Sequence, residues 1–177
     1  MSSDGKFTNM TFFAQWMEDN SDSNTIFVGH NICGFDYWVI NELTTFEIPR
    51  WMVYDTSVMS KLIDYRKYIT HSLKELSVAV GSFKGDYNGG WDEYSGDMGE
   101  YCKQDVEITH KLYLYLKEHM SGGAWTQAID TELEMAWICQ DMTKNGFKYD
   151  KRRADNLQES LIRRLEELDR NIKISFL

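Results

Sequence analysis

The chain has 177 residues, of which 42% are hydrophobic and 14% aromatic, enough for one sizeable core and too apolar for disorder over most of its length. Its net charge of −9 is uneven: residues 1–120 hold 18 acidic and 10 basic side chains, and residues 121–177 hold 10 and 9. That balance speaks against a passive nucleic-acid binder, whose affinity comes mostly from basic contacts to phosphate, unless some of the carboxylates hold divalent cations that present positive charge in their place.

The predicted elements follow in order. Residues 8–19 place Met10, Phe13, Trp16 and Met17 on one stripe and predict an amphipathic helix. T-I-F-V-G-H, residues 25–30, reads as a short buried strand, and residues 36–44 as a helix. W-M-V-Y, residues 51–54, is a second strand candidate, followed by a helix over 56–65. Ser72 with Glu75 three residues on forms a capping box that opens a helix at 73–80. Residues 81–96, with five glycines, form a loop before a long helix at about 97–119. This alternation predicts an α/β fold with a mainly parallel sheet.

Ser121-Gly122-Gly123 marks the clearest boundary, dividing a first domain, 1–120, from a helical segment, 121–177. The latter should hold helices near 125–143 and 151–173, split by a turn at Asn145-Gly146. Leu157, Leu161, Leu165, Leu168 and Ile172 make a stripe that needs a partner surface. No apolar run nears the roughly 20 residues that span a bilayer, and M-S-S-D-G-K-F lacks the regions of a signal peptide. Cys33, Cys102 and Cys139 are well spaced, odd in number and contain no C-x-x-C pair, which fits a reduced cytoplasmic protein without zinc or disulfides.

Two segments carry chemistry. H-N-I-C-G-F-D, residues 30–36, lies where an apolar strand gives way to a helix, and open α/β sheets collect ligands outside the carboxyl ends of their strands. Asp36 falls in the first turn of that helix, where an acid also serves simply to offset the helix dipole. Y-C-K-Q-D, residues 101–105, lies on the long helix, with Tyr101 and Asp105 on one face and Leu112 and Leu116 continuing it. A carboxylate on such a stripe is expensive to bury unless it is paired or bound to metal. The bland alternative is a solvated acid beside a half-buried tyrosine.

N-x-x-x-F-D followed some 70 residues later by Y-x-x-x-D resembles the second and third motifs of the DEDDy-type, four-carboxylate 3′–5′ exonucleases. The segments Y-D-T-S-V-M-S-K-L-I (54–63) and H-S-L-K-E-L-S-V-A-V-G-S-F-K-G-D-Y (71–87) resemble those joining the motifs in family A DNA polymerases of short-tailed phages. A-I-D-T-E-L-E-M-A-W-I (128–138) and K-N-G-F-K-Y-D (144–150) resemble the link from exonuclease to polymerase domain. This resemblance implies a ribonuclease H-like fold, two-metal hydrolysis with Mg²⁺ or Mn²⁺, and single-stranded or primer-end DNA as substrate in a host cell's cytoplasm. It further implies Asp36 and Asp105 as metal ligands, Tyr101 as the orienter of the attacking water, and Asn31 as a contact to the terminal nucleotide.

The family's first motif, D-x-E on an early strand, has no convincing counterpart. Asp105-Val106-Glu107 and Asp130-Thr131-Glu132 fall in helical stretches, where residues two apart lie about 200° apart around the axis. The expectation is a fragment lacking its first strands, with an open edge on the 25–30 strand and weak or no activity alone. A separate polypeptide carrying the first motif, the polymerase domain, or both would complete it. A non-catalytic piece binding DNA or a polymerase partner is the rival reading, and a structured-RNA exonuclease of the same superfamily is the third.

Overall fold

A computed structural model describes residues 10–175. Among these residues the order is α1 (Met10–Asn20), β1 (Phe27–Gly29), α2 (Asp36–Leu43), β2 (Val53–Asp55), α3 (Thr56–Asp64), α4 (Leu73–Ser77), α5 (Gly96–His119), α6 (Gly123–Asn145) and α7 (Lys151–Ser175). Two 3₁₀ turns, Arg50–Met52 and Val78–Val80, precede β2 and follow α4. The result is α/β, mostly helical, around a small parallel sheet in which Phe27, Val28 and Gly29 pair with Val53, Tyr54 and Asp55. No described helix is long and apolar enough to cross a membrane.

Three expectations need correction. The 25–30 run is only half-buried, and only its last three apolar-to-glycine residues pair as β1. The second strand begins two residues later than W-M-V-Y suggests. After Pro49 the chain first takes a 3₁₀ turn, with the Met52 N–H donating to the Pro49 carbonyl at 2.9 Å. The helix at 73–80 is α-helical only to Ser77. There the Ser77 hydroxyl donates to the Lys74 carbonyl at 2.7 Å and accepts the Lys84 N–H at 3.3 Å, a side-chain bond that competes with the helical ladder. Residues 8 and 9 of the first predicted helix lie outside the described residues. Of its stripe, Met17 is buried, while Met10 and Trp16 sit at the exposed edge.

The chain packs as two compact units, one through Asp141 and one from Met142. In the first, Ile108, Leu112 and Leu116 recur every four residues along α5 and are buried with Val53 of β2, Met59 of α3 and Leu76 of α4. Ile129, Leu133 and Trp137 bring α6 onto the same core. Trp137 lies 4.5 Å from the Tyr37 ring. The Arg50 guanidinium stacks over Trp137 and Trp38 while holding Asp141 through two bonds of 2.7 and 2.8 Å, a forked geometry that lysine could not reproduce. The second unit holds the end of α6 and α7. None of α7 is buried, and the stripe from Leu157 to Ile172 is exposed along it.

The capping box at Ser72 forms only half as expected. Ser72 Oγ accepts the Glu75 N–H at 3.3 Å, but the Glu75 carboxylate turns to the preceding loop. It accepts N–H bonds from Ile69, Thr70 and His71, and the Thr70 hydroxyl. The Ile69 bond, then those of Thr70, hold its carboxyl below the ordinary 4.5. A depressed carboxyl stabilises the fold above its unfolded value and loses that contribution as pH falls through the folded one. Acid unfolding curves should therefore show wild type and Glu75→Gln separated by a gap that is constant well above pH 4.5 and closes as the pH falls below it.

Candidate functional site

Parallel pairing sets Gly29, at the carboxyl end of β1, beside Asp55, at the carboxyl end of β2. Asp55 is 2% exposed. Its Oδ1 accepts the N–H groups of Asn31 and Ser57, each at 2.9 Å, and its Oδ2 accepts that of Cys33 at 3.2 Å. One buried carboxylate thus caps α3 and shapes the loop that leads to Asp36. The loop is tight. Asn31 is left-handed, with φ of 60°, which asparagine tolerates better than most residues. A methyl group on Gly29 would lie 2.5 Å from Ile32 Cβ, and one on Gly34 would lie 2.7 Å from Asn31 Oδ1. Gly29 needs glycine for this close approach, whereas at Gly34 the neighbour is a side-chain end that can turn aside.

Asp36 is the first residue of α2, and the residue before it makes no side-chain capping bond. Its carboxyl is raised above the usual range, first by loss of water on its protein side and further by the Asp55 charge, against its own backbone N–H. His30, beside Asn31, has Nδ1 3.0 Å from the Thr56 hydroxyl, which donates to the Gly29 carbonyl at 3.1 Å. Burial lowers the His30 imidazole. The Asp55 charge opposes that shift, and the Lys84 charge adds to it.

On α5, Tyr101 and Asp105 share a face as their spacing requires. Asp105 is not alone, and only part of its side chain meets solvent. Lys84 Nζ donates to its Oδ2 at 2.8 Å and sits 4.8 Å from the centre of the Tyr101 ring. Burial disfavours the Lys84 ammonium, but the bonds and charges of Asp105 and Tyr101 outweigh this and leave it raised. The other oxygen, Asp105 Oδ1, is buried without a hydrogen-bond partner. Tyr101 also packs with Tyr87 at 5.7 Å and Trp91 at 6.1 Å. Tyr87 and Tyr101 border an open depression of about 1280 Å³ lined by the loop after Gly85 and the start of α5.

The four residues singled out from sequence therefore fall into two groups. Asn31 and Asp36 share the loop organised by Asp55, while Tyr101 and Asp105 share α5 and Lys84. The His30 imidazole responds to the charges of both Asp55 and Lys84. Among the described residues no three His, Cys, Asp or Glu side chains gather as a metal cage. Asp105 nevertheless fits a cation, because a buried carboxylate oxygen with free lone pairs is costly unless something positive meets it. Sequence reasoning missed two residues here. Asp55 carried a signal, since D-T-S before an apolar run is a helix N-cap pattern. Lys84 carried none beyond a basic residue in a glycine-rich loop.

These features define an α/β domain with a partly buried acidic site suited to a cation. Residues 8–121 match the family model described as 3′–5′ exonuclease, of the DNA polymerase A type, and the chain belongs to that family. Domains of this family are generally divalent-metal dependent. The chain is also similar to the DNA-directed DNA polymerases of Enterobacteria phage T3 and Escherichia phage T7. It is 23% identical to each over 181 residues, covering 74% of this chain and 26% of each relative. The match thus spans about a quarter of the relatives' length.

Proposed function

We propose that the chain is the proofreading 3′–5′ exonuclease part of a phage DNA-directed DNA polymerase, built on a ribonuclease H-like, DEDDy-type fold. Residues 1–120 would be the partial exonuclease domain, and 121–177 the helical segment leading towards a polymerase domain. The observation that carries this reading is the orphaned Oδ1 of Asp105 one helical turn from Tyr101, in a chain of the exonuclease family.

Asp36 and Asp105 would hold Mg²⁺ or Mn²⁺, since all the candidate ligands are oxygen. The bound ions would supply a water of lowered pKa and charge stabilisation for the attacking and leaving oxygens of an in-line displacement. Tyr101 would orient that water through its hydroxyl, its ring fixed by Tyr87, Trp91 and Lys84. Asn31, whose backbone is pinned by Asp55, would present its side-chain amide to the terminal nucleotide of single-stranded or primer-end DNA. With two candidate carboxylates among the described residues, we infer weak or no hydrolysis by this chain alone in the host cytoplasm. A polypeptide supplying a D-x-E strand would complete the site.

The test mixes the purified chain with a polypeptide carrying that motif and Mg²⁺ on labelled single-stranded DNA. Digestion from the 3′ end above that of either component supports the reading, and no gain over the partner alone removes it. The lack of a three-residue metal cluster among the described residues favours a second reading, a non-catalytic piece that binds DNA or a polymerase. Calorimetry with Mn²⁺ separates the two, because such a piece would show no binding sensitive to Asp36→Ala or Asp105→Ala.

A further inference from the structure

Lys84 pairs with Asp105 and lies over Tyr101, and its backbone is held on both sides. Gln104, adjacent to Asp105 on α5, clamps both of its neighbours: Gln104 Nε2 donates to the Phe83 carbonyl at 3.0 Å, and Gln104 Oε1 accepts the Gly85 N–H at 3.2 Å. The Lys84 N–H itself donates to Ser77 Oγ at 3.3 Å. The segment is thus strapped to α4 on one side and to α5 on the other, which fixes where the lysine's backbone lies. Only 15% of its side chain is exposed, and its ammonium lies 4.8 Å from the centre of the Tyr101 ring while it reaches one oxygen of Asp105. A surface lysine seeking any acid would not need three backbone anchors.

The arrangement divides the carboxylate. Lys84 retains Oδ2, while Oδ1 is buried and bare. We propose that Lys84 is a positioning residue and built-in competitor for metal: it restricts Asp105 to one oxygen towards a divalent ion and weakens that ion's binding by its own charge. The proposal rests on the reading of Asp105 as a metal ligand. Its physical basis is short-range repulsion. A unit charge some 5 Å from a divalent ion weakens its binding on the order of tenfold even at the dielectric constant of water. A site tuned in this way would hold its ion loosely until further negative charge, such as a DNA phosphate, entered and drew the ammonium away from Asp105.

The sign of the effect makes the idea testable, because a merely structural ion pair predicts the opposite. Breaking a structural pair loosens Asp105 and weakens metal binding, whereas removing a competitor tightens it. Mn²⁺ binding to the full chain would be followed by the loss of the free-ion paramagnetic resonance signal. Lys84→Met, which keeps an unbranched apolar stem but no charge, should bind Mn²⁺ about tenfold more tightly than wild type. Lys84→Arg, which keeps the charge, should stay within about twofold. Unchanged or weaker binding in Lys84→Met overturns the proposal, as does equal tightening in Lys84→Arg. Should Lys84→Met fail to fold by circular dichroism, Lys84→Gln takes its place under the same criteria.

Asp105→Asn, measured in wild-type and Lys84→Met backgrounds, separates this inference from the reading beneath it. If Mn²⁺ binds Asp105→Asn as well as wild type, Asp105 is not a ligand and both fall. If Asp105→Asn removes binding but Lys84→Met does not tighten it, the ligand stands and only the competitor role is lost. Absence of Mn²⁺ binding to every variant up to millimolar concentration overturns both.

Discussion

Asp105→Asn is expected to lower metal-dependent 3′–5′ hydrolysis at least on the order of 100-fold while leaving the chain folded. Loss of groups that merely orient a metal ligand typically costs 10–100-fold, so removing a ligand's charge should cost no less. Asparagine is the informative replacement because its shape is unchanged. Its one carbonyl oxygen would be claimed by the Lys84 ammonium, which now donates to Oδ2 at 2.8 Å. The amide nitrogen would then occupy the place of Oδ1, the buried oxygen without a partner. An NH₂ group has no lone pair for a cation, so the position changes from acceptor to donor. Stability should change little, about 1 kcal/mol or less, because the Lys84–Asp105 pair is still partly exposed, at 15% and 29%. The assay uses the chain completed by a polypeptide carrying D-x-E, with urea unfolding of the chain alone as control. A variant retaining more than a tenth of the wild-type rate would remove Asp105 from the reaction.

Asp55→Ala should have the largest effect on stability, about 3–5 kcal/mol, and should disturb the loop that carries Asn31 and leads to Asp36. The side chain is buried, and three backbone N–H groups depend on it: Asn31 and Cys33 in the loop after β1, and Ser57 in the first turn of α3. Each orphaned donor costs about 1–3 kcal/mol, less where water enters the space left by the carboxylate. Against a typical total of about 5–15 kcal/mol, this is a large fraction. Asp55→Asn should fall between, since its oxygen can keep the Asn31 and Ser57 bonds while its NH₂ faces the Cys33 N–H. Urea unfolding midpoints in the order wild type, Asn, Ala would bear out this account. Equal midpoints for Ala and wild type would mean that the loop has another support.

Much of the element order is readable in the chain because the signals are local. The 24-residue α5 follows from a continuous apolar stripe after a glycine-rich loop, and the turn at Asn145-Gly146 separates α6 from α7 as expected. The differences also have local causes that composition hides. Pro49 delays β2 by allowing a 3₁₀ turn, and the Ser77 hydroxyl ends α4 early by bonding the Lys74 carbonyl. Glu75 illustrates the limit of motif reading. The Ser-x-x-Glu spacing is present, yet the carboxylate prefers three loop N–H groups to the one at Ser72.

The candidate site divides along the same line. Asp36, Tyr101 and Asp105 stand out by position, because a strand end opens into a ligand-facing loop and a helical turn brings residues four apart to one face, while Asn31 follows only from the likeness to the exonucleases. From the sequence alone came the α/β class, the two acidic segments and their likeness to the exonucleases. Tertiary structure alone decided what surrounds them. Asp55 reaches Asn31 across 24 residues and Lys84 reaches Asp105 across 21, and no period or propensity encodes a pairing at such separations. Only the parallel register of β1 with β2, and the strapping of the 83–85 segment onto α5, put these charges where they act. That is why one oxygen of Asp105 is tied to a lysine while the other stays buried and bare.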